Sequence, residues 1–438
     1  MPQTNYYLLL PHPTEPRLLL LTHADSCVLP HFTADDTHFW QSVAHINQRV
    51  NQLWGITVTT LRCMRTEWLE DKRNRYYALE NHSPDWEMPA AARWATREEL
   101  DGLTLAEPDQ RATIEDWFTF YSNLDTIQTP WYTPGWYGEM RAWLDGQLEE
   151  RGITPTAPVE QLRSWERSTI LRSQTEQGAI YFKALPPMFR HEPLLVKWLS
   201  HHFPQEFPKP LMVDGWRGWL LMPDYGSKTL DAVPDTERWV AALRAFAQLQ
   251  ARLSVRGNEL IGLGCPDRRL YTLEQQIEAL LNTPASQLSG DSLKLNDDEM
   301  ETLRARIPEF KEKCKALASY SIPASLEHGD FWAGQVVVNE DQFVFIDWSD
   351  SSISHPFFSM YFLMDDDLAQ PRDQLRDAYL REWIAYEPFE TLLQAFEIAM
   401  QLAPLHHALI YQQHILPQMQ IKWEMQNMIP FYLRRLLP

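Results

Sequence analysis

The sequence predicts an α+β protein of at least two domains, in which an α/β part precedes a larger part built from antiparallel sheet and helices. The chain has 438 residues, whereas single domains usually contain about 100 to 200. Apolar residues make up 44% of it, enough to fill more than one core. Short apolar runs and apolar residues at helical spacing alternate along the chain, which favours a mixture of strands and helices.

The first 125 residues predict a compact α/β domain. Apolar runs at residues 6–10 and 17–22 flank a proline-bounded turn and are typical of paired strands. Apolar residues at helical spacing between residues 35 and 54 predict an amphipathic helix. Further strand-like runs and a helix around Ile114 complete this part.

Residues 126–156 predict a connector, because a turn-rich segment there is followed by a helix with one apolar face. From residue 157 the pattern returns to three strand-like segments, followed by a helix near Glu192 and further strands. Beyond Pro234 the sequence is mainly helical, apart from one strand pair. We therefore predict a third region, 157–438, that combines antiparallel sheet with helices.

The formal net charge of −20 disfavours nucleic acid or an anionic membrane as a partner. A cationic small molecule fits the sign, although surplus carboxylates more often only keep a protein soluble. The four cysteines contain no C-x-x-C pair, so neither a zinc site nor a disulfide framework is indicated. With no signal peptide or long apolar run, we expect a cytoplasmic protein.

The stretch from Glu327 to Asp350 carries the clearest chemical signal. A His-Gly-Asp sequence ending at Asp330 precedes a strand, a turn and a second strand, and Asp347 follows that second strand. The ends of a hairpin lie close together, so the two carboxylates should converge. One could accept a hydroxyl proton while the other holds Mg²⁺, as phosphoryl transfer requires.

This stretch resembles the catalytic and metal-binding loops of the aminoglycoside and choline phosphotransferase family, which has H-G-D-x-x-x-x-N followed by I-D. Here Gln335 stands where the family has Asn, and Ile346 and Asp347 form the second motif. The resemblance implies a bilobal protein-kinase-like domain over 157–438, with an antiparallel-sheet N-lobe and a helical C-lobe. It also implies ATP and Mg²⁺ as cofactors, Asp330 as the catalytic base, and Asp347 and Gln335 as metal ligands.

Upstream residues match other parts of the family pattern in the required order. Lys183 matches the strand lysine that neutralises ATP phosphates, and Glu192 matches the acid that orients it. Met222 and Asp224 lie where the family's hinge contacts adenine, and Ser168 lies in the segment that replaces a glycine-rich phosphate loop. Taken singly, Lys183 and Glu192 would be read as solvated surface charges. Their order before the His-Gly-Asp sequence favours the functional interpretation.

The first 125 residues are similar to the Nudix hydrolases, through LPHF, a helix ending at Gly55, and RWATREEL. The metal-binding helix of that family requires R-E-x-x-E-E-x-G. The corresponding positions here are Gln48, Arg49, Gln52 and Leu53. We therefore expect a Nudix-like domain without a metal site, which serves as a scaffold, a homodimer interface or a sensor of substrate.

The resemblance implies a kinase that transfers the γ-phosphate of ATP to a hydroxyl of a small metabolite or antibiotic, with a cationic acceptor as one option. The alternative is a catalytically weak or inactive sensor of a nucleotide or metabolite, motivated by Gln335 and by the altered Nudix helix. A protein kinase is disfavoured because neither A-P-E nor D-F-G is present.

Two further groups of residues have a structural interpretation. His406, His407 and His414 are read as histidines on partly buried helix faces instead of metal ligands. Asp365, Asp366 and Asp367 are read as a solvated acidic turn, with recognition of an acceptor amine as the less favoured option.

Overall fold

The computed structural model describes residues 3–23, 25–35, 37–69, 72–288, 293–340 and 342–438. The chain forms two compact units, of which the first comprises Met1–Pro186 with Leu221–Pro223. The second comprises Pro187–Leu220 with Asp224–Pro438. The finer predicted division at residues 125 and 156 stays a prediction.

The N-terminal part of the first unit contains two small sheets and three helices. Its strands are β1 (Gln3–Leu9), β2 (Leu18–His23), β3 (Ser26–Val28), β4 (His31–Asp35), β5 (Val58–Trp68), β6 (Lys72–Asn81) and β7 (Ala92–Ala95). Its helices are α1 (Ala44–Trp54), α2 (Gln110–Ser122) and α3 (Trp136–Glu149). One sheet has the order β4-β1-β6-β5, with β1 and β6 parallel, and the other has the order β3-β2-β7.

The rest of the first unit is an antiparallel meander of β8 (Glu160–Trp165), β9 (Ser168–Thr175) and β10 (Gly178–Ala184). The N-terminal part extends the outer edge of this sheet. The Ser164 N–H donates to the Gln41 carbonyl at 2.9 Å, and the Val43 N–H donates to the Leu162 carbonyl at 3.0 Å. Edge strands need such cover because their unpaired amides otherwise attract other chains.

This pairing explains where the prediction for helix α1 was wrong. The apolar spacing suggested a helix from about residue 35, but the structure begins it at Ala44. Residues 31–35 instead form β4, and Phe39 is 71% exposed. Helix α1 begins only at Ala44 because the backbone of Gln41 and Val43 bonds to β8 instead, a tertiary pairing that sequence periodicity does not report.

The second unit contains the remaining strands and most of the helices. The strands are β11 (Met212–Asp214), β12 (Trp219–Pro223, which ends in the first unit), β13 (Ser325–Glu327), β14 (Val336–Asn339), β15 (Gln342–Phe345) and β16 (Ser352–Ser354). The helices are α4 (His191–His202), α5 (Thr236–Leu253), α6 (Gly257–Gly262), α7 (Leu270–Asn282), α8 (Ala285–Leu288), α9 (Asp297–Ala305), α10 (Ile307–Ala318), α11 (Arg372–Arg381), α12 (Phe389–Ile410) and α13 (Met428–Arg434).

Local sequence explains several of these helices. The side chain of Asp235 accepts the N–H of Glu237 and caps α5, whose buried stripe includes Trp239 and Phe246. Asn296 and Glu299 form a reciprocal capping box at the start of α9. These signals agree with the predicted helical region after Pro234.

The predicted α+β class is confirmed, as are the strand pair within the helical region and the helices at the end of the chain. Of the helices that the structure describes, none is both long enough and apolar enough to cross a membrane.

Candidate active site

Two antiparallel ladders bring the His-Gly-Asp loop and the Asp347 loop together. The predicted hairpin pairs β14 with β15, and beyond its last ladder pair the Ile346 N–H donates to the Gln335 carbonyl at 3.0 Å. A second ladder pairs β13 with β16, with Glu327 opposite Ser352. The chain leaves β13 through the first loop, turns in the hairpin, and returns through the second loop to β16. Both loops are thereby anchored at each end.

The two loops also contact each other directly. The Nε2–H of His328 donates to the carbonyl of Ile346 at 3.0 Å. Gly329 has φ of +82°, and a Cβ atom there would lie 2.2 Å from the carbonyl oxygen of Asp350. Glycine is therefore required at this position for both its conformation and the close approach. These contacts fix the backbone on which Asp330 and Asp347 are mounted.

Glu327, directly before the His-Gly-Asp sequence, has no solvent exposure. Its Oε1 accepts the Gly329 N–H at 2.7 Å and the Ser359 hydroxyl at 3.3 Å. Its Oε2 lies 3.3 Å from His406 Nε2 and accepts the Ser352 hydroxyl at 3.4 Å. Burial acts to raise the pKa of Glu327, but the hydrogen bond and charge of His406 outweigh it and lower the pKa. Glu327 is thus a buried anion whose hydrogen bonds hold the His-Gly-Asp loop in place.

The environment of these loops keeps His328 neutral. The imidazole is fully buried beside the rings of Phe331 and Trp348. Burial lowers its pKa, more than the Ile346 carbonyl and nearby carboxylates raise it. A neutral imidazole does not act as a general acid at neutral pH, so the Nε2–H of His328 serves to hold Ile346 in place.

Arg268 approaches the second loop from another direction. Its Nη1 donates to the Asp350 carbonyl at 3.4 Å, and the Asp350 side chain is itself buried. Burial lowers the pKa of Arg268 to about 10, although Glu327 and Asp350 act in the opposite direction. The two carboxylates and this guanidinium form a charged cluster behind the loops.

The three residues expected to perform the chemistry are accessible. Asp330 is exposed, and Asp347 and Gln335 are partly exposed. Asp347 has φ of +61°, a left-handed conformation that is uncommon outside glycine and is often found at functional sites. Its Oδ1 accepts the hydroxyl of Ser349 at 3.0 Å. In the described residues, no group of three or more His, Cys, Asp or Glu side chains could hold a metal ion.

Lys183 and Glu192 lie in the predicted elements. Lys183 is on β10 and only 5% exposed, and Glu192 is the second residue of α4. The Glu192 carboxylate accepts the Trp348 N–H at 3.1 Å, next to Asp347. The structure thus gives Glu192 a partner that the sequence did not suggest. Its predicted role in orienting Lys183 stays a prediction.

The other residues expected at the nucleotide are distributed along β9 and β12. Ser168 begins β9 and is buried, and its hydroxyl accepts the Trp165 Nε1–H at 2.9 Å. Met222 lies near the end of β12 and is partly exposed, and the exposed Asp224 accepts the Gly226 N–H at 2.9 Å. Their contacts with a nucleotide stay predictions.

A cavity of about 210 Å³ adjoins Asp330 within the second unit. Its polar lining includes Asp330, Asp365 and His407. Its aromatic lining consists of Phe331, Trp332, Phe358, Tyr361, Phe362, Phe431 and Tyr432. A cavity with apolar walls and few polar groups is the usual form of a small-molecule site.

Of the C-terminal histidines, His406 and His407 are buried and His414 is partly exposed, in agreement with the predicted partly buried helix faces. His406 contacts Glu327, and the ring of His407 stacks on Tyr432 at 4.9 Å. His414 Nε2 lies 3.0 Å from the Met188 carbonyl. Sequence reasoning did not identify Glu327, Arg268 or Tyr432 as parts of the site. The only sequence signal for these residues was the glutamate directly before His328. The side chains that contact this glutamate are distant in the chain.

The sequence of residues 164–392 matches the model of the phosphotransferase enzyme family. This match spans more than half of the chain, and the chain therefore belongs to that family. It is accordingly a phosphotransferase, an enzyme that acts on hydroxyl groups. No curated protein matches the chain.

The solved structures to which the chain is similar include the following three kinases or phosphotransferases. Choline kinase LicA from Streptococcus pneumoniae is 12% identical, with 68% of this chain and 97% of that chain covered and a TM-score of 0.45. Ethanolamine kinase from Plasmodium vivax is 12% identical, with coverages of 77% and 96% and a TM-score of 0.46. Macrolide 2'-phosphotransferase MphH from Brachybacterium faecium is 13% identical, with coverages of 69% and 98% and a TM-score of 0.45. The family assignment rests on the sequence match alone.

Proposed function

We propose that the chain transfers the γ-phosphoryl group of ATP to a hydroxyl of a small molecule, within a protein-kinase-like arrangement of residues 157–438. The observation that carries this proposal is the convergence of the Asp330 and Asp347 loops, anchored by two ladders and by direct contacts. Phosphoryl transfer depends mainly on positioning and charge neutralisation, and rigid acidic loops are suited to both.

Asp330 is the proposed catalytic base. It is exposed at the wall of the 210 Å³ cavity, where an acceptor hydroxyl can approach it. The acceptor oxygen forms a bond to the γ-phosphorus, the bond to the ADP oxygen breaks, and the hydroxyl proton passes to Asp330. The buried Glu327 does not contribute a proton to this step, because its lowered pKa keeps it ionised.

Asp347 and Gln335 are the proposed Mg²⁺ ligands. Both offer oxygen donors, and Mg²⁺ is commonly held by one or two carboxylates together with substrate phosphates, so the residues fit the ion. When bound, the ion would neutralise charge on the phosphates. Gln335 is one methylene longer than the family's Asn, while its backbone is fixed by the hydrogen bond from Ile346. Its side chain must therefore adopt a different path to reach the ion.

The nucleotide itself would contact residues on several strands. Lys183 would neutralise ATP phosphates with Glu192 as its orienting acid, Ser168 would lie near the phosphates, and Met222 and Asp224 would lie near adenine. The location of Lys183 on β10, the strand to which the family resemblance assigns the phosphate-binding lysine, supports this assignment.

The acceptor is proposed to be a small metabolite or antibiotic with a hydroxyl group, and a cationic acceptor is favoured. The cavity beside Asp330 has an aromatic lining and a second carboxylate, Asp365, and aromatic faces and carboxylates both attract organic cations. The net charge of −20 acts in the same direction over longer distances and disfavours nucleic acid or a membrane as partner.

The first 125 residues are proposed to be a Nudix-like domain that supports the kinase-like sheet in the cytoplasmic enzyme. Two of the polar side chains of α1 face β8: Gln48 donates to Glu160 at 2.5 Å, and Asn47 donates to Gln161 at 3.0 Å. Gln48 occupies the position of the arginine in the Nudix motif. Its contact with β8 favours a scaffold over a pyrophosphatase, and a homodimer interface is a further option.

The second candidate function is a kinase-like sensor that binds nucleotide without efficient transfer. Gln335 in place of Asn is the observation that favours it. The two candidates differ in turnover: both predict that Mg-ATP raises the melting temperature, but only an enzyme releases ADP in the presence of an acceptor.

The test is a screen of hydroxylated and aminated metabolites for ATP-dependent ADP release, with the Asp330→Ala variant as control. We expect Asp330→Ala to lower transfer by about 10² to 10⁴-fold, the usual contribution of a general base, while ATP affinity stays nearly unchanged. An unaffected rate would show that Asp330 is not the base. ATP binding without turnover for any metabolite would favour the sensor.

A further inference from the structure

Arg435, just after α13, occupies a position that would suit a bound cation. Its guanidinium carbon lies 4.5 Å from the centre of the Phe431 ring and 5.8 Å from the centre of the Tyr361 ring. Its Nη1 lies 3.7 Å from Asp365 Oδ1. Two aromatic faces and a carboxylate are the groups that recognise organic cations in proteins.

The same three partners line the cavity beside Asp330. Burial raises the pKa of Asp365, and Arg435 is the largest influence in the opposite direction. The Arg435 guanidinium therefore contacts the same side chains that would bind a cation in the proposed acceptor site. A cationic acceptor can contact Tyr361, Phe431 and Asp365 only when it displaces the Arg435 side chain from them.

Arg435 also faces a second, larger cavity. This cavity has a volume of about 740 Å³, and its lining includes Tyr361, Arg376, Met400 and Arg435. Tyr361 borders both cavities, so Tyr361 and Arg435 together stand at the boundary between them. Loss of the Arg435 side chain would free the cation-binding groups that line the smaller cavity.

We propose that Arg435 is a specificity-determining residue, whose guanidinium competes with the ammonium group of an acceptor for Tyr361, Phe431 and Asp365. The proposal rests on the proposed function only in taking the cavity beside Asp330 as the acceptor site. It predicts that the strength of ammonium binding is set by this one side chain.

The test is binding of tetramethylammonium to the full chain, measured by saturation-transfer NMR titration at constant ionic strength. We expect Arg435→Ala to bind the probe about tenfold tighter than the unsubstituted protein, from the cation–π and carboxylate contacts that it frees. Arg435→Lys keeps a competing charge and should bind the probe nearly as weakly as the unsubstituted protein.

Arg376→Ala is the matched control, because Arg376 lines the larger cavity but pairs with Asp373 and Asp377. It removes the same charge and should leave probe binding unchanged. An uncharged probe of similar size, tert-butanol, should gain little from Arg435→Ala. Should Arg435→Ala not fold, Arg435→Gln removes the charge while keeping most of the volume.

Equal affinity of Arg435→Ala and Arg376→Ala for tetramethylammonium would overturn the proposal, as would an equal gain for tert-butanol. Both measurements are made without ATP or turnover. Failure of the ADP-release screen would therefore count against the proposed function and leave this inference standing.

Discussion

The hairpin β8–β9 of the first unit and the hairpin β14–β15 of the second place their candidate functional residues at opposite ends. In the first hairpin, Ser168 lies at the turn, and the turn residues Glu166 and Arg167 are buried. In the second hairpin, the strands' open end holds Gln335 and leads to Asp347, whereas Glu340 at the turn is exposed. In each hairpin, other parts of the same unit hold the end that carries the candidate functional residues.

The support itself differs between the two hairpins. Hydrogen bonds between uncharged groups hold β8 next to the turn of the first: the Trp131 Nε1–H donates to the Trp165 carbonyl at 2.9 Å, and the Ser164 hydroxyl donates to the Leu61 carbonyl at 2.7 Å. Charged groups, the buried Glu327 and the partly exposed Arg268, hold the loops around the second. Neutral hydrogen bonds are insensitive to pH, whereas a buried carboxylate makes stability depend on it. The predictions below test this difference.

The largest effect is expected for Glu327→Gln. The substitution keeps the side-chain shape but removes the anion that faces His406 and the Gly329 N–H, so we expect a loss of about 3 kcal/mol in the free energy of unfolding. Because the loop that carries Asp330 loosens, kcat should fall while KM for ATP stays nearly constant. Urea denaturation and steady-state kinetics measure the two effects.

Glu309→Gln is the matched control, since Glu309 pairs with Arg306 and Lys313 at the surface and should cost less than about 1 kcal/mol. The pKa of Glu327 is lowered on folding, so the stability it contributes is present above its ordinary value of 4.5. That contribution should be lost as the pH falls from 4.5 through the lowered pKa. A difference between Glu327→Gln and the unsubstituted protein that does not shrink with acid would contradict the charged assignment.

An intermediate effect is expected for Gln161→Ala in the first hairpin. The Gln161 side chain accepts the Thr60 N–H at 2.8 Å and donates to the Thr60 carbonyl at 3.0 Å. Its removal leaves these buried groups unpaired, at a cost of about 2 kcal/mol. Urea denaturation should show the same loss from pH 5 to pH 8, because no titrating group is removed. Gln174→Ala, an exposed glutamine of β9, is the control, and an equal loss there would exclude a specific role for Gln161.

The smallest effect is expected for Gln335→Asn, which restores the family's residue at the open end of the second hairpin. A shorter amide should match the metal position better, so we expect the Mg²⁺ concentration for half-maximal activity to fall by about threefold, within the strict geometry that this ion requires. The measurement is ADP release against Mg²⁺ concentration. Gln342→Asn, in the same hairpin but paired with Gln205, should change nothing. A rise in the Mg²⁺ requirement of Gln335→Asn would show that the site is adapted to glutamine.

Much of the candidate site could be predicted from sequence because its residues are close in the chain. The hairpin between Asp330 and Asp347 is short, and its alternating apolar residues and turn give it a clear signal. The strand that carries Lys183 and the helix that carries Glu192 were also predicted correctly, because each has a clear local sequence pattern. Their proposed roles came from family resemblance and remain to be tested.

The support for the site could not be predicted, because it depends on contacts between distant residues. The partner of Glu327 is His406, which is separated from it by 79 residues. The backbone of residues 41–43 bonds to β8, more than 100 residues later, so helical periodicity predicted a start of α1 that was too early. A single sequence carries no record of such pairings.

The cover of β8 by residues 41–43 has a consequence for any shortened form of the protein. A chain that began after residue 125 would lose the Gln41 carbonyl and the Val43 amide, and β8 would become an open edge next to the Trp165 turn. Open edges recruit strands from other molecules. In the full chain, the N-terminal part therefore prevents self-association through β8, even if it takes no part in the reaction.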